Sequence, residues 1–467
     1  MKMWSGRFRQ PMDPEFEQWQ RSFGFDVRLL RSELAASGAH ARALKNAGVL
    51  SADELISILQ GLEQIGERAA ASPSFLQDNE AEDVHHFVEK QLAALIGETG
   101  YKLHSGRSRN EQIATDLRLY TRAAIDELRQ QLGELCGVLV ERAEQNASAA
   151  MPAYTHLQKA EPVLVAHWLL AYVEMFLRDA DRLADCRQRL NLCPLGSGAV
   201  AGATLPLDRA FMAEKLGFNS ITANSIDATS DRDFAIEFVN ALSLLALHLS
   251  RWAEEMILFS SQEYGLVELP EAYSTGSSAM PQKKNPDLLE LVRGKSGRVI
   301  GNATALLVTA KGLPLAYNKD LQETQQPLFE AADTVLQMLP LITGFMKSVE
   351  FHHERMQQAA DSGFTNAWAA ATYLVRKGIP SRMAHERIGK AVAMCLERGC
   401  ELRDLPLGEL RSLSPAFDQD FYESLEISSV LSAHDVPGGT APARVQQAIA
   451  AAKKKIESLR EEVHAHA

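Results

Sequence analysis

Residues 234–259 read FAIEFVNALSLLALHLSRWAEEMILF. Phe234, Phe238, Leu242, Leu245, Leu249, Trp252, Met256 and Phe259 step by four or three throughout, the period of one helical face. At 1.5 Å per residue the stretch makes a helix of roughly 40 Å. Val239, Leu244 and Leu247 lie off that stripe, so the helix is apolar around more than one face. Such a helix is covered on all sides, which predicts burial by neighbouring subunits. Glu237, His248, Arg251 and Glu254 interrupt it at helical intervals, which argues against a membrane span.

The same period recurs. Leu117, Thr121, Ala124, Leu128, Leu132, Leu135 and Leu139 form a second stripe. Pro162 opens a third apolar segment through Val163, Leu164, Trp168, Tyr172 and Phe176, and a fourth with Leu288, Leu289, Val292 and Val299 follows Pro286. Clusters of Gly, Ser, Pro and Asn at 104–110, 194–208, 272–286 and 435–442 break the pattern. The expected fold is all-α: an elongated central helical bundle (111–355) flanked by smaller helical domains (1–110 and 356–467). The tail 443–467 reads as a charged, solvated amphipathic helix.

The chain has 467 residues, 46% apolar and 23% charged, with net charge −12. That balance disfavours a non-specific nucleic-acid binder and means that any acidic ligand needs local cations. Five cysteines, none in a CxxC pair, disfavour a disulfide scaffold or zinc site and suit a reducing compartment. The opening MKMWSGRFRQ carries no apolar signal run, so a cytoplasmic location is expected. Familiar motifs fail on spacing. Gly294-Lys295-Ser296 lacks the P-loop glycine at Leu289, and His385-Glu386 meets Gly389 where a zincin needs histidine. His85 and His86, adjacent on a helix, diverge too far to share a metal with Asp83 easily.

The stretch most informative about chemistry is Gly276-Ser277-Ser278-Ala279-Met280-Pro281-Gln282-Lys283-Lys284-Asn285-Pro286. It reads as a loop ending in Asn285 as helix N-cap and Pro286 at the first helical position. A hydroxyl-bearing loop, two cations and a helix N-terminus together suit an anion. Three further segments are dense in polar groups: His104–Asn110, Thr155–Pro162 and Tyr317–Glu323.

In this order the four segments resemble the fumarase/aspartase superfamily. The Met280–Pro286 and Tyr317–Glu323 forms resemble its argininosuccinate lyase branch. The resemblance runs from Trp4-Ser5-Gly6-Arg7-Phe8 to Gly438-Gly439-Thr440. It implies a three-domain subunit, a homotetramer with active sites shared between subunits, and reversible elimination of arginine from argininosuccinate to leave fumarate. It implies neither metal nor organic cofactor. By motif, Ser277 is the general base, with its alkoxide stabilised by Lys283 and loop amides. Lys283 and Asn285 hold the substrate carboxylate, His156 helps protonate the leaving nitrogen, and Glu290 orients His156. Ser22, Arg109, Asn110, Thr155, Arg232, Tyr317 and Gln322 match substrate contacts, while Asp83 and His85 lie in a further matching segment. Two positions depart from the family pattern: Ser5 replaces a glycine, and Gln325 stands where a carboxylate-binding lysine is expected. The alternatives are a related adenylosuccinate, aspartate or fumarate lyase, or a non-catalytic crystallin-like homologue.

Taken singly, each residue has a plainer reading. A serine in a Gly-Ser loop is ordinarily a turn residue, a lone histidine a cap, and paired lysines surface charge. The ordered co-occurrence of the segments outweighs those readings.

Overall fold

The computed structural model describes residues 10–466; the Trp4–Phe8 motif lies outside them. Six helices of 24 residues or more dominate the described chain. They are α1 (Arg109–Gln145), α2 (Val165–Leu190), α3 (Asp233–Ser260), α4 (Asp287–Ala310), α5 (Gln325–Ser348) and α6 (Pro442–His466). The described strands are short and pair only two by two, so the fold is all-α.

Every residue of the α3 stripe from Phe234 to Phe259 is buried, as is every residue of the α1 stripe from Leu117 to Leu139. Off the stripe, Val239 is buried but Leu244 and Leu247 stay 42% and 41% exposed. Three of the four polar interruptions of α3 are paired. Glu237 binds Arg189, Glu254 binds Arg293, and His248 Nδ1 meets Asp179 Oδ2 at 2.7 Å. α3 is long and apolar enough to cross a membrane by length and composition. Its stripe is instead packed against protein, as in the core helix of a globular domain.

The chain divides into two compact units. The first comprises 1–127, 182–243 and 298–334. Its N-terminal part packs the helices Leu30–Asn46, Ala52–Ala71 and Val84–Ile96. Ser51 opens Ala52–Ala71 with a capping box to Glu54, satisfying two backbone donors. The second unit comprises 128–181, 244–297 and 335–467. There Trp252 meets Phe345 edge-on at 5.5 Å, both fully buried. A separate core gathers Tyr373, Leu374, Ile388, Phe417 and Phe421.

Three local expectations need correction. Pro162 does not open a helix: it lies in strand β2 (Gln158–Leu164), antiparallel to β1 (Ala150–Thr155), and α2 starts at Val165. Asn285 is not a helix cap: it pairs in β4 (Lys284–Asn285) with β3 (Thr275–Gly276). Pro286 then supplies the carbonyl that accepts the Glu290 N–H at 3.0 Å, and α4 begins at Asp287. Finally, the terminal helix α6 is not solvated all round. Val445, Ile449, Ala452, Ile456, Leu459 and Val463 are buried along one face.

Replacing Trp252 by alanine removes the largest fully buried side chain and leaves a cavity beside Phe345. The expected loss is about 3–5 kcal/mol, read as a lower denaturant midpoint with an unchanged slope.

Candidate active site

The proposed base sits in the loop between β3 and β4. Ser277 is half-buried, and its Oγ accepts the N–H groups of Ala279 (3.2 Å) and Met280 (3.1 Å). A serine folded onto its own following amides is a common turn device. Here it also aims two donors at the oxygen that carries charge if the hydroxyl is deprotonated. Beside it, Asn285 Nδ2 donates to Thr275 Oγ1 at 3.3 Å, and Thr275 donates in turn to the Asp287 carboxylate. Lys284 is committed to Glu268. The Lys283 side chain is exposed, as is Glu290 in the first turn of α4.

His156 occupies the tip of the β1–β2 hairpin. Thr155 pairs with Gln158 across a two-residue turn, and His156 and Leu157 both have positive φ (55° and 57°). That is the hand of the turn a tight hairpin needs, ordinarily supplied by Asn-Gly. Two side-chain-bearing residues held there store strain, which is tolerated where the surroundings enforce it. The enforcement is visible. Tyr154 packs its ring at a tilt against Phe259 (5.8 Å) and edge-on against Tyr264 (5.3 Å), and the Leu164 N–H donates to Thr440 Oγ1 at 2.9 Å. Thr155 and His156 are therefore presented, exposed, on a rigid tip. No hydrogen bond or ion pair joins His156 to Glu290 among the described residues.

The first unit carries the carboxylate-binding candidates. Arg109 opens α1 and lies 3.2 Å from Asp83 and 3.6 Å from Glu82. Asn110 donates to the Ala199 carbonyl at 3.2 Å, and Gln322 to the Gln20 carbonyl at 3.1 Å. Arg232 is 2% exposed, yet its Nη1 engages the Asp231 carbonyl at 2.7 Å while its Nε and Nη2 have no partner among the described residues. Burial lowers its pKa to about 10, and the neighbouring Tyr317 hydroxyl is raised, first by burial, against the pull of Arg232. A buried guanidinium with two free donor positions is costly unless an anion completes it. Gln325, where lysine is expected, opens α5 almost fully buried, with Oε1 unpaired.

A family model described as Lyase matches residues 6–301, and one described as Argininosuccinate lyase C-terminal matches residues 364–432. The argininosuccinate lyase of Koribacter versatilis is 59% identical over all of both chains. That of Acidobacterium capsulatum is 60% identical over 98% of this chain and 96% of its own. The chain belongs to the argininosuccinate lyase family. As a member of that family it is a carbon–nitrogen lyase of arginine biosynthesis, which splits argininosuccinate into arginine and fumarate. Among solved structures, an EDDS lyase in complex with formate superposes with a TM-score of 0.85 at 26% identity, covering 98% of this chain and 93% of that one.

The sequence reading missed the group behind Ser22. Ser22 is buried, and its hydroxyl donates to Asp26 Oδ2 at 2.6 Å, while Asp26 Oδ1 accepts the Val84 N–H at 3.0 Å. Burial, reinforced by the Asp83 carboxylate, raises the Asp26 pKa from 3.8 to about 6. The neutral acid is thus favoured in the folded state, so this group's stabilising share is complete below about pH 4 and is lost as pH rises through 6. At 1.36 kcal/mol per tenfold change in acidity, the loss is about 3 kcal/mol. The stability of the wild type minus that of Asp26→Asn is expected to fall by this amount between pH 4 and pH 7. A difference flat with pH in denaturant titrations would return Asp26 to an ordinary carboxyl.

Proposed function

We propose that this member of the argininosuccinate lyase family works through a carbanion stabilised as a doubly negative aci-carboxylate, by reversible anti elimination. The Ser277 alkoxide takes a proton from the methylene carbon, which is bonded to a carboxylate and stands next to the carbon that carries the departing nitrogen. The electron pair left on that carbon spreads into the adjacent carboxylate. It then forms the double bond of fumarate as the carbon–nitrogen bond breaks. The guanidinium nitrogen leaves with a proton passed from His156, directly or through water, and Glu290 of a neighbouring subunit, rather than of the same chain, orients His156. Lys283 and Asn285 grip the carboxylate on which charge develops. Ser22, Arg109, Asn110, Thr155, Arg232, Tyr317 and Gln322 hold the rest of the substrate, and the chemistry calls on no cofactor.

The observation that carries the assignment of the base is the pair of amides, Ala279 and Met280, already pointing at Ser277 Oγ. The half-empty Arg232 guanidinium supports an anionic substrate. The Gln325 position removes one cation, and Lys319, 3.9 Å from Glu82, is the nearby cation that can turn to the substrate.

The active unit is a homotetramer, with sites completed by neighbouring subunits, in the cytoplasm. The apolar side chains left exposed along α3, α4 and α5 support this: Leu244, Leu247, Leu291, Ile300, Leu307 and Leu341. Within each subunit we read three domains, 1–110, 111–355 and 356–467. The separate core around Phe417 and Phe421 supports the C-terminal domain.

The decisive assay follows fumarate by its ultraviolet absorbance and arginine by chromatography after adding argininosuccinate. Both products are expected in equal amounts from the wild type. Ser277→Ala keeps the assembly and its melting temperature while losing turnover by about a thousandfold or more, the scale of removing a catalytic base. Substantial residual turnover in that variant would exclude Ser277 as the base.

A further inference from the structure

His85 is a histidine whose surroundings the proposed mechanism does not use. It lies in the first turn of the helix Val84–Ile96, almost wholly buried. Three carboxylates surround it. Its Nε2 meets Asp116 Oδ2 at 2.8 Å and Glu33 Oε2 at 3.8 Å, and its Nδ1, buried without a hydrogen-bond partner among the described residues, faces the Asp83 Oδ2 charge at 3.8 Å. That same Asp83 oxygen lies 3.2 Å from the Arg109 guanidinium. Asp83 is itself fixed: its Oδ1 accepts the His86 N–H at 2.8 Å as helix cap. On the far side, Glu33 accepts from Ser37 Oγ (2.5 Å) and Gln112 Nε2 (3.1 Å), and Arg107 stands 3.8 Å away.

Burial and the Glu33 carboxylate push the Asp116 carboxyl up to about 8, so one proton is held between Asp116 and His85; with Asp83 and Glu33 each 3.8 Å from the ring, that proton sits on the imidazole. Three buried carboxylates with Arg107 and Arg109 alone leave a net negative charge in a dry site, which is costly. Burial opposes the charged ring, but the hydrogen bond to Asp116 and the charges of Asp83 and Glu33 raise its proton affinity well above the ordinary value. Burial would raise Asp83 as well, yet His85 and Arg109 hold it below the usual carboxylate range. Asp26, raised to about 6, and His104, lowered to about 4 by burial and by Arg107 and Arg109, complete the ionisable surroundings. Glu33, His85 and Asp116 also offer three ligand atoms within 4.8 Å. The 2.8 Å bond between two of them and the adjacent Arg107 already supply the positive charge a metal would bring.

We infer that His85 is a positioning residue: as a buried imidazolium it locks Asp83, and through Asp83 it aims the Arg109 guanidinium at a substrate carboxylate. This rests on the reading of Arg109 as a carboxylate ligand. Without the imidazolium, Asp83 is free to draw Arg109 inward, and substrate binding weakens while the proton-transfer groups are untouched.

The test is a double-mutant cycle of His85→Gln and Arg109→Lys in the full-length enzyme, read as KM and kcat for argininosuccinate. His85→Gln is expected to raise KM about tenfold or more with a smaller change in kcat, and in the Arg109→Lys background to raise it less than about threefold. Additive effects overturn the inference, as does a variant that melts lower with KM unchanged, the mark of a packing role alone. Nitrogen NMR of histidine-labelled wild type, with His85 assigned by difference, keeps the inference testable if the variant does not fold. Both ring nitrogens protonated at pH 8 are expected, and a neutral ring there overturns the inference. Wild-type enzyme that releases no fumarate from argininosuccinate would sink the proposed function instead, and leaves the protonation state of His85 to be decided by the NMR spectrum alone.

Discussion

The seam of apolar side chains along the long helices is the constraint on which the rest depends. A helix that buries Phe234 through Phe259 on one stripe has no freedom to rotate or slide without exposing rings. Its first turn is then a fixed point. The same holds for the other four long helices before the tail, and a motif of the candidate site stands at the start of each. Arg109 opens α1, the His156 hairpin leads into α2, and Arg232 directly precedes α3. The Ser277 loop leads into α4, and the Tyr317–Gln322 segment leads into α5. N-terminal helix ends present free N–H groups and the positive end of the dipole. A chain of net charge −12 has thereby gathered its anion-attracting groups at the most rigid points it possesses.

Rigidity also explains why expensive features survive there. Arg232 is buried with two donor positions open, and His156 and Leu157 sit at positive φ without a glycine between them. Each costs free energy in the subunit alone. Each is held by packing that has nothing to do with the substrate: the rings of Tyr154, Phe259 and Tyr264 below the hairpin, and the α3 seam behind Arg232. The folding energy of the aromatic and aliphatic core is what keeps these polar groups from relaxing into self-satisfied arrangements.

Which parts were legible in the sequence follows from the same division. The helical stripes were readable because burial of one face imposes a period on the residues themselves. The β1–β2 hairpin was not. Its turn is His-Leu rather than Asn-Gly, and Pro152 pairs with Pro162 across the ladder, where proline ordinarily argues against a strand. The start of α4 was misplaced because Asn285 and Pro286 carry a capping signature that β-pairing with Thr275 overrides. The site segments were found through ordered motifs, whereas Asp26, Glu33 and Asp116 left no mark. A carboxylate on the buried face of a helix reads as an interruption until the partner that satisfies it, here the His85 ring or the Ser22 hydroxyl, is brought to it by the fold.

The exposure of the remaining groups points the same way. His156, Lys283 and Glu290 lie in water in the single subunit, and proton abstraction from a weakly acidic carbon needs charged groups in a dry, fixed environment. The apolar side chains of α3, α4 and α5 that remain exposed need cover as well, at about 25 cal/mol for each Å² removed from water. One event, the proposed association of subunits along these helices, would meet both needs: it would hide the apolar rows and close water away from groups that one chain presents but does not enclose. In the proposed tetramer, stability and catalysis are therefore coupled. An apolar-to-charged change at Leu244 or Leu247 would act on turnover without touching a single residue that meets the substrate.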